Sequence, residues 1–466
     1  MGKQFLEITE KKEVEELIAE LSAKIAAEIA ITMNTEKVRL GDGVGEALGR
    51  IASTDIFSTL DIPPFDRATV DGYAVIASDT FYAAEDNPSL LIVKGYIPAG
   101  EFPSPSQYLE KGYCTGISTG APLPKGANAV VKVENTSDYE EGGGEGGEGE
   151  NRKIKTVKIY KPVAPAEYIM FAGSDIKRGE KIVVKGTRLT PRETGVLAAC
   201  GIREVEVRKK PSVAVISSGN ELVAPGTQAT TTLEPGKIYD VNAQTVCDSV
   251  RAVCSDSGSG SGCVPLFLGV ARDNLEDLSA KLNESLAKGA DVILFSGGTS
   301  AGAGDLLPTA IERFGEILVH GVDIKPGKPF VLGMVQGKPV FGLPGNPTSA
   351  LVTFNLFVAP LLRRISGDYF YTGRGGKQNL ERRKKVKATA AVRIFSEKGR
   401  NEYVLVKVKV NLAKTKPAEE GNLLAYPILT GSGAITTLSN ADGYIFVEKG
   451  KEIVEEEEEV EVEVFF

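Results

Sequence analysis

From Ser212 to Gly367 short apolar runs alternate with segments of helical spacing: Val213 to Ile216, Ala243 to Cys254, Leu266 to Leu268, Leu275 to Leu286, Val292 to Phe295 and Leu307 to Phe314. A strand covered on both faces has to be apolar throughout, and a helix has to carry the chain back to begin the next one. The alternation therefore predicts βαβ units and a doubly wound α/β domain with a parallel sheet. Two more strand-like runs, Phe330 to Met334 and Val340 to Leu343, and a long apolar helix after Pro347 complete it. Such sheets bind ligands beyond the carboxyl ends of their strands, so the loops there are read first.

Three of those loops are rich in small residues: "SSGNE" at Ser217 to Glu221, "FSGGTSAGAGD" at Phe295 to Asp305 and "GLPGNPTS" at Gly342 to Ser349. Backbone N–H groups and hydroxyls at Ser217, Ser218, Gly219, Gly297, Gly298 and Ser300 suit an anion. Neither GxxxxGK[ST] nor GxGxxG is present, which disfavours an ordinary P-loop and a dinucleotide fingerprint. Asp305 ends its loop where it either caps the following helix or holds a magnesium ion beside a phosphate. "RDN" puts Asp273 at the same rim, and "IKPGKPF" adds Lys325 and Lys328. Two aspartates, two lysines and anion-cradling loops fit a phosphorylated ligand with a divalent cation, a chemistry that needs no His or Cys nucleophile.

The rest of the chain reads differently. Val14, Leu17, Ile18, Leu21, Ile25 and Ile29 predict an amphipathic helix from Glu10 to Ile31, packed elsewhere in the chain or on a second copy. Short β-rich runs between turns predict a small β domain over residues 62–162, with the acidic, glycine-rich stretch 137–152 as a disordered insertion. Residues 1–61 and 163–206 are expected to form a helical and linker domain, 207–367 the α/β domain, and 368–466 a closing β domain in which Val460, Val462 and Val464 alternate with glutamates. Glu455 to Glu459 reads as a solvated edge rather than a metal site, and Arg382 to Lys385 as a solvated edge rather than a nucleic-acid patch. A net charge of -8 disfavours nucleic acid as a partner. Five cysteines without a CxxC pair and a single histidine, His320, leave no usual zinc set and point to a reducing interior. No segment reads as a signal peptide or a membrane span, so the expected location is the cytoplasm.

"PPFDRATVDGYAV", "STGAPLPKGANAVV", "AGSDIKRGE", "GTRLTPRETGVLAACGI", "SSGNEL", "GKIYDVN", "FSGGTSAGAGD", "IKPGKPF" and "GLPGNPTSA" occur in one order between Val38 and Gly367, with a weaker "GSGAITTLSNADGYI" beyond. Together they resemble the MoeA family of molybdopterin molybdenumtransferases, which includes the E domain of gephyrin. The resemblance implies an elongated, dimeric subunit with an adenylyltransferase-like α/β domain, β-rich N-terminal domains and a β-barrel-like C-terminal domain. It implies that adenylylated molybdopterin and molybdate or tungstate are substrates, that Mg²⁺ assists, and that AMP leaves. Position by position, the family's functional residues fall on Asp71, Thr119, Asp175, Glu193, Asp273, Asp305 and Lys325, with Asp273 and Asp305 as metal ligands. Lys328, Ser349 and Ser432 match its oxyanion contacts. The implied active site lies between the α/β domain of one subunit and the β-rich domain of the other, and transient contact with an adenylyltransferase is expected.

The chain departs from the family pattern at two places. Asn220 stands where many members have aspartate, and Gly321 where some have a further lysine, with His320 as a stand-in donor or a packing residue. Two other functions compete with the transferase reading. An adenylyltransferase would need the α/β domain alone, and a gephyrin-like scaffold would leave the carboxylates and lysines idle.

Overall fold

The computed structural model describes residues 8–32, 34–41, 46–140, 155–225, 233–253, 262–298, 306–367, 385–411, 423–429, 431 and 433–465. The expected α/β domain is built on a six-stranded sheet of β1 (Ser212–Ser218), β2 (Val264–Ala271), β3 (Val292–Ser296), β4 (Gly315–His320), β5 (Val331–Val335) and β6 (Lys338–Leu343). Their spatial order is β2-β1-β3-β6-β5-β4. The first four in that order run parallel, while β5 pairs antiparallel with β6 and β4 antiparallel with β5 at one edge. The sheet is thus mixed, where the alternation predicted a parallel one. The departure comes from β5 and β6, joined by a turn at Gln336 and Gly337 that is too short for a crossover helix. Strand β4 was not expected; its apolar run is short, Ile317 to Val319, and only Val319 in it is buried.

Helices Asn242–Ala252, Leu275–Ala287, Leu306–Glu312 and the continuous run from Pro347 to Ile365 cover the sheet. In that last run a widened turn at Phe354–Val358 precedes Pro360, whose missing N–H cannot join the α-helical ladder. Phe330 and Phe357 close the core between helix and sheet with ring centroids 4.7 Å apart.

The N-terminal helix, Lys11–Thr32, packs on this same core through Val14, Ile18 and Ile25, and the Arg364 guanidinium donates to the Ala19 carbonyl at 3.1 Å. Its apolar stripe is therefore covered within its own chain. The β-rich region forms a second six-stranded sheet. Residues 137–140, expected within the loop, instead form part of strand Thr136–Glu140, paired with Lys155–Ile159 and anchored by Lys158 over the Tyr139 ring. The rest of that expected insertion, from 141, lies outside the described residues.

The C-terminal part is a closed barrel of Lys385–Ala390, Leu423–Pro427, Glu402–Val410, Gly443–Val447 and Glu459–Val464. Glutamates of the acidic run pair with Arg393, Lys451 and Lys387, as a solvated edge should. No helix is long and apolar enough to cross a membrane among the described residues.

Candidate active site

The carboxyl ends of β1, β3 and β6 open into a cavity of about 1470 Å³ whose far wall is the C-terminal barrel. It gathers Ser218, Gly219, Asp273, Gly297, Gly298, Lys325, Lys328 and Ser349 from loops far apart in sequence. The barrel contributes Arg400, Glu402, Tyr403 and Leu405.

Asp273 is the best-fixed carboxylate there. The Ser218 hydroxyl donates to one of its oxygens at 2.8 Å, and the Asn220 backbone N–H donates to the other at 3.1 Å. In return the Asp273 N–H donates to Asn220 Oδ1 at 3.3 Å. Asparagine at 220 therefore makes the acceptor contact that aspartate would make, without setting a second negative charge against Asp273.

The start of the glycine loop is held by backbone contacts. Gly297 has φ 97° and its N–H donates to the Leu343 carbonyl at 3.0 Å. A Cβ there would lie 2.2 Å from the Ser218 carbonyl oxygen. Gly297→Ala is expected to cost about 1–3 kcal/mol by steric displacement and left-handed strain. Thermal denaturation checks this, and an unchanged melting temperature would show that the loop yields without cost.

Lys325 is bound by the barrel. Its ammonium lies 3.0 Å from Glu397 and 3.0 Å from Glu402, while the Tyr403 N–H donates to its carbonyl at 2.7 Å. Partial burial pulls the amine's pKa down, but the hydrogen bonds and charges of Glu402 and Glu397 outweigh it and hold the value above that of a free lysine. A raised lysine pKa favours the folded state below the unfolded value, and that contribution fades as pH rises through the folded one. Glu402→Gln should lower the Lys325 pKa, as read by NMR titration of the side-chain nitrogen. No movement would mean that Glu397 alone sets it. Lys328 has no ion-pair partner among the described residues, which leaves its charge for a ligand.

The remaining expected residues lie elsewhere. Asp71 and Thr119 pair with each other, the Thr119 N–H and hydroxyl both donating to Asp71 Oδ1, at 2.7 and 3.0 Å. They are on the β-rich domain and do not line the cavity. Asp175, on the helical and linker domain, is exposed and does not line the cavity. Glu193 completes a capping box, accepting from the Thr190 N–H at 2.9 Å and from its hydroxyl. Burial pushes its pKa up, and these bonds more than offset that, holding it below the usual value. Ser217 is fully buried in β1 rather than on the wall. Ser300, Asp305 and Ser432 lie outside the described residues. Gly321 has φ 103°, a conformation that suits glycine better than lysine, and neither it nor His320 lines the cavity. Asp240, Asn242 and Glu402 were not among the expected residues, although "GKIYDVN" contained the first two.

Comparison with known proteins gives the arrangement a context. Residues 12–201 match the MoeA N-terminal region (domain I and II), 214–364 a probable molybdopterin binding domain, and 387–465 the MoeA C-terminal region (domain IV). A molybdopterin molybdenumtransferase of Bacillus subtilis is 32% identical over 419 residues, covering 89% of this chain and 86% of its own. The chain belongs to the MoeA family. Molybdopterin molybdenumtransferase 2 of Mycobacterium tuberculosis is 36% identical over 331 residues, 69% of this chain and 74% of that one. The structure of a molybdopterin biosynthesis MoeA protein from Pyrococcus horikoshii superposes with a TM-score of 0.72 at 39% identity, covering 99% of this chain and 100% of that one. MoeA-family regions therefore match most of the sequence, including the β-rich and barrel domains that an adenylyltransferase would not require.

Proposed function

We propose that this chain is a molybdopterin molybdenumtransferase of molybdenum cofactor biosynthesis, taking adenylylated molybdopterin and molybdate or tungstate and releasing AMP. The observation that carries the reading is one cavity that joins glycine-loop backbone, a fixed carboxylate and two lysines, in a chain with MoeA domains throughout. Gly297 and Gly298 let backbone approach a pyrophosphate without side-chain interference, and Lys325, Lys328 and Ser349 meet its oxygens or those of the metal oxyanion. Glu397 and Glu402 hold Lys325 as a cation and orient it from the barrel side.

Asp273 fits Mg²⁺. It lines the cavity, its orientation is fixed, and among the described residues no group of three His, Cys, Asp or Glu could form an all-protein cage. Mg²⁺ is typically held by one or two carboxylates together with substrate phosphates, and Asp305 would be the second. When bound, the ion would neutralise charge on the phosphate oxygens as the link between them breaks. The remaining site residues, Asp71 and Thr119 on the β-rich domain and Asp175 and Glu193 on the helical and linker domain, would act from a second subunit in a homodimer. Buried cysteines outside any disulfide, Cys114, Cys200, Cys247 and Cys263, suit a reducing cytoplasm, where an adenylyltransferase would hand over its product.

The experiment supplies purified protein with adenylylated molybdopterin, molybdate and Mg²⁺ and measures AMP. The expected result is AMP release that needs the oxyanion and consumes no ATP. Consumption of ATP to adenylylate molybdopterin would favour the adenylyltransferase reading, and neither reaction would favour a scaffold. Offering molybdate and tungstate together, with metal analysis of the product, decides the preferred oxyanion.

A further inference from the structure

We propose that Asp240 and Asn242 form the end of the cavity that reads the substrate's pterin, accepting hydrogen bonds from its 2-amino group and adjacent ring N–H. The inference rests on the transferase reading and assigns an orientation to its substrate. Asp240 is 2% exposed and Asn242 8% exposed, and both line the cavity. The Ala243 N–H donates to Asp240 Oδ1 at 3.0 Å, at the start of helix Asn242–Ala252. Asp240 Oδ2 is buried and has no hydrogen-bond partner among the described residues. The Asn242 amide nitrogen donates to Ser296 Oγ at 2.8 Å and to the Gly345 carbonyl at 2.7 Å, which fixes which end of the amide is oxygen. That oxygen, Oδ1, likewise has no partner among the described residues.

Two buried acceptors two residues apart are thus both unmet. Neither can turn away, because each side chain is tied at its other atom, and the Asp240 N–H is itself bonded to the Val223 carbonyl at 2.9 Å. An unmet buried acceptor is destabilising, so a tied pair of them in two residues that line the cavity calls for a ligand that brings donors. A cation is the weaker match. Among the described residues no metal-binding cluster includes Asp240, and a neutral amide oxygen with one carboxylate oxygen is a poor set for Mg²⁺.

The chemistry of adenylylated molybdopterin then selects the end that binds. A pterin carries its 2-amino group beside N3–H, two donors on one edge. Adenine carries one amino group flanked by acceptor nitrogens, which would face the second unmet oxygen with a lone pair. Tyr239, 40% exposed on the same wall, supplies an aromatic face for a flat bicyclic ring. The pterin is therefore assigned to the Asp240 end and the phosphates to Gly297, Gly298 and Lys328.

The test uses the full chain and two fluorescent probes, pterin (2-amino-4-oxopteridine) and lumazine (2,4-dioxopteridine), in which a carbonyl replaces the amino group. Wild type should bind pterin at least about tenfold more tightly than lumazine, as expected where buried polar groups would be left unpaired. Asp240→Asn keeps an acceptor for the Ala243 N–H. It should lose at least about tenfold for pterin, with lumazine and AMP affinities changed less than about twofold and the melting temperature retained. Equal binding of the two probes by wild type, or no pterin binding, overturns the assignment even if the variant fails to fold. Equal loss of pterin and AMP in the variant also overturns it, since that would mark Asp240 as structural. Discrimination between pterin and lumazine without AMP release in the turnover assay would leave this pocket standing and remove the transferase reading.

Discussion

Asparagine at position 273 is expected to lower AMP release by about two to four orders of magnitude while leaving the melting temperature close to wild type. The side chain keeps its shape and one acceptor oxygen, so either the Ser218 hydroxyl or the Asn220 N–H still finds its partner. What is lost is the negative charge. Metal assistance to phosphate chemistry is worth several kcal/mol, and each 1.36 kcal/mol is about tenfold in rate. Affinity for adenylylated molybdopterin should hold or rise, because removing a carboxylate beside an anion relieves repulsion. Asp305→Asn serves as the parallel case. If that position only caps the following helix, asparagine caps about as well and turnover should persist. A large rate loss at 305 with none at 273 would move the metal role wholly to Asp305. Near-normal turnover in both would remove the two-carboxylate reading.

The distribution of these residues explains what the sequence disclosed and what it hid. The α/β domain was legible because β1, β3 and β6 are buried almost throughout, and a fully apolar run between loops has few other uses. Strand β4 was not, because as an edge strand half in solvent it carries only the short run Ile317 to Val319. Lys325 and Lys328 were visible through the prolines around them, yet their setting was not. That Glu397 and Glu402 grip Lys325 depends on docking the barrel against the α/β domain, a contact across more than 70 residues that no local pattern encodes. Asp240 and Asn242 were quoted within a motif but not singled out. Aspartate and asparagine at the start of a helix are ordinary capping residues, and only the unmet oxygens set them apart. Glu193 is the opposite case. It fits a functional motif, and its local bonds to Thr190 explain its presence without a ligand.

The final expectation concerns residues that lie off the cavity wall. Asp71 satisfies the Thr119 N–H and hydroxyl, which alone would justify its presence in a turn, and both residues are exposed on the β-rich domain. If they instead complete the site of a second subunit, Asp71→Ala and Asp305→Ala should each abolish turnover in a homodimer. Mixing the two should then restore it. In a heterodimer, one site receives both substitutions and the other receives neither. Random exchange makes half the dimers mixed, with one intact site in two, so activity should recover to about a quarter of wild type. A site confined to one subunit predicts the opposite, because every subunit in the mixture would carry a lesion. Activity that stays near zero with heterodimers verified by mass would place Asp71 and Thr119 outside the chemistry and return them to the turn they stabilise. Recovery well above a quarter would mean that Asp71→Ala alone retains activity, which the unmixed variant shows directly.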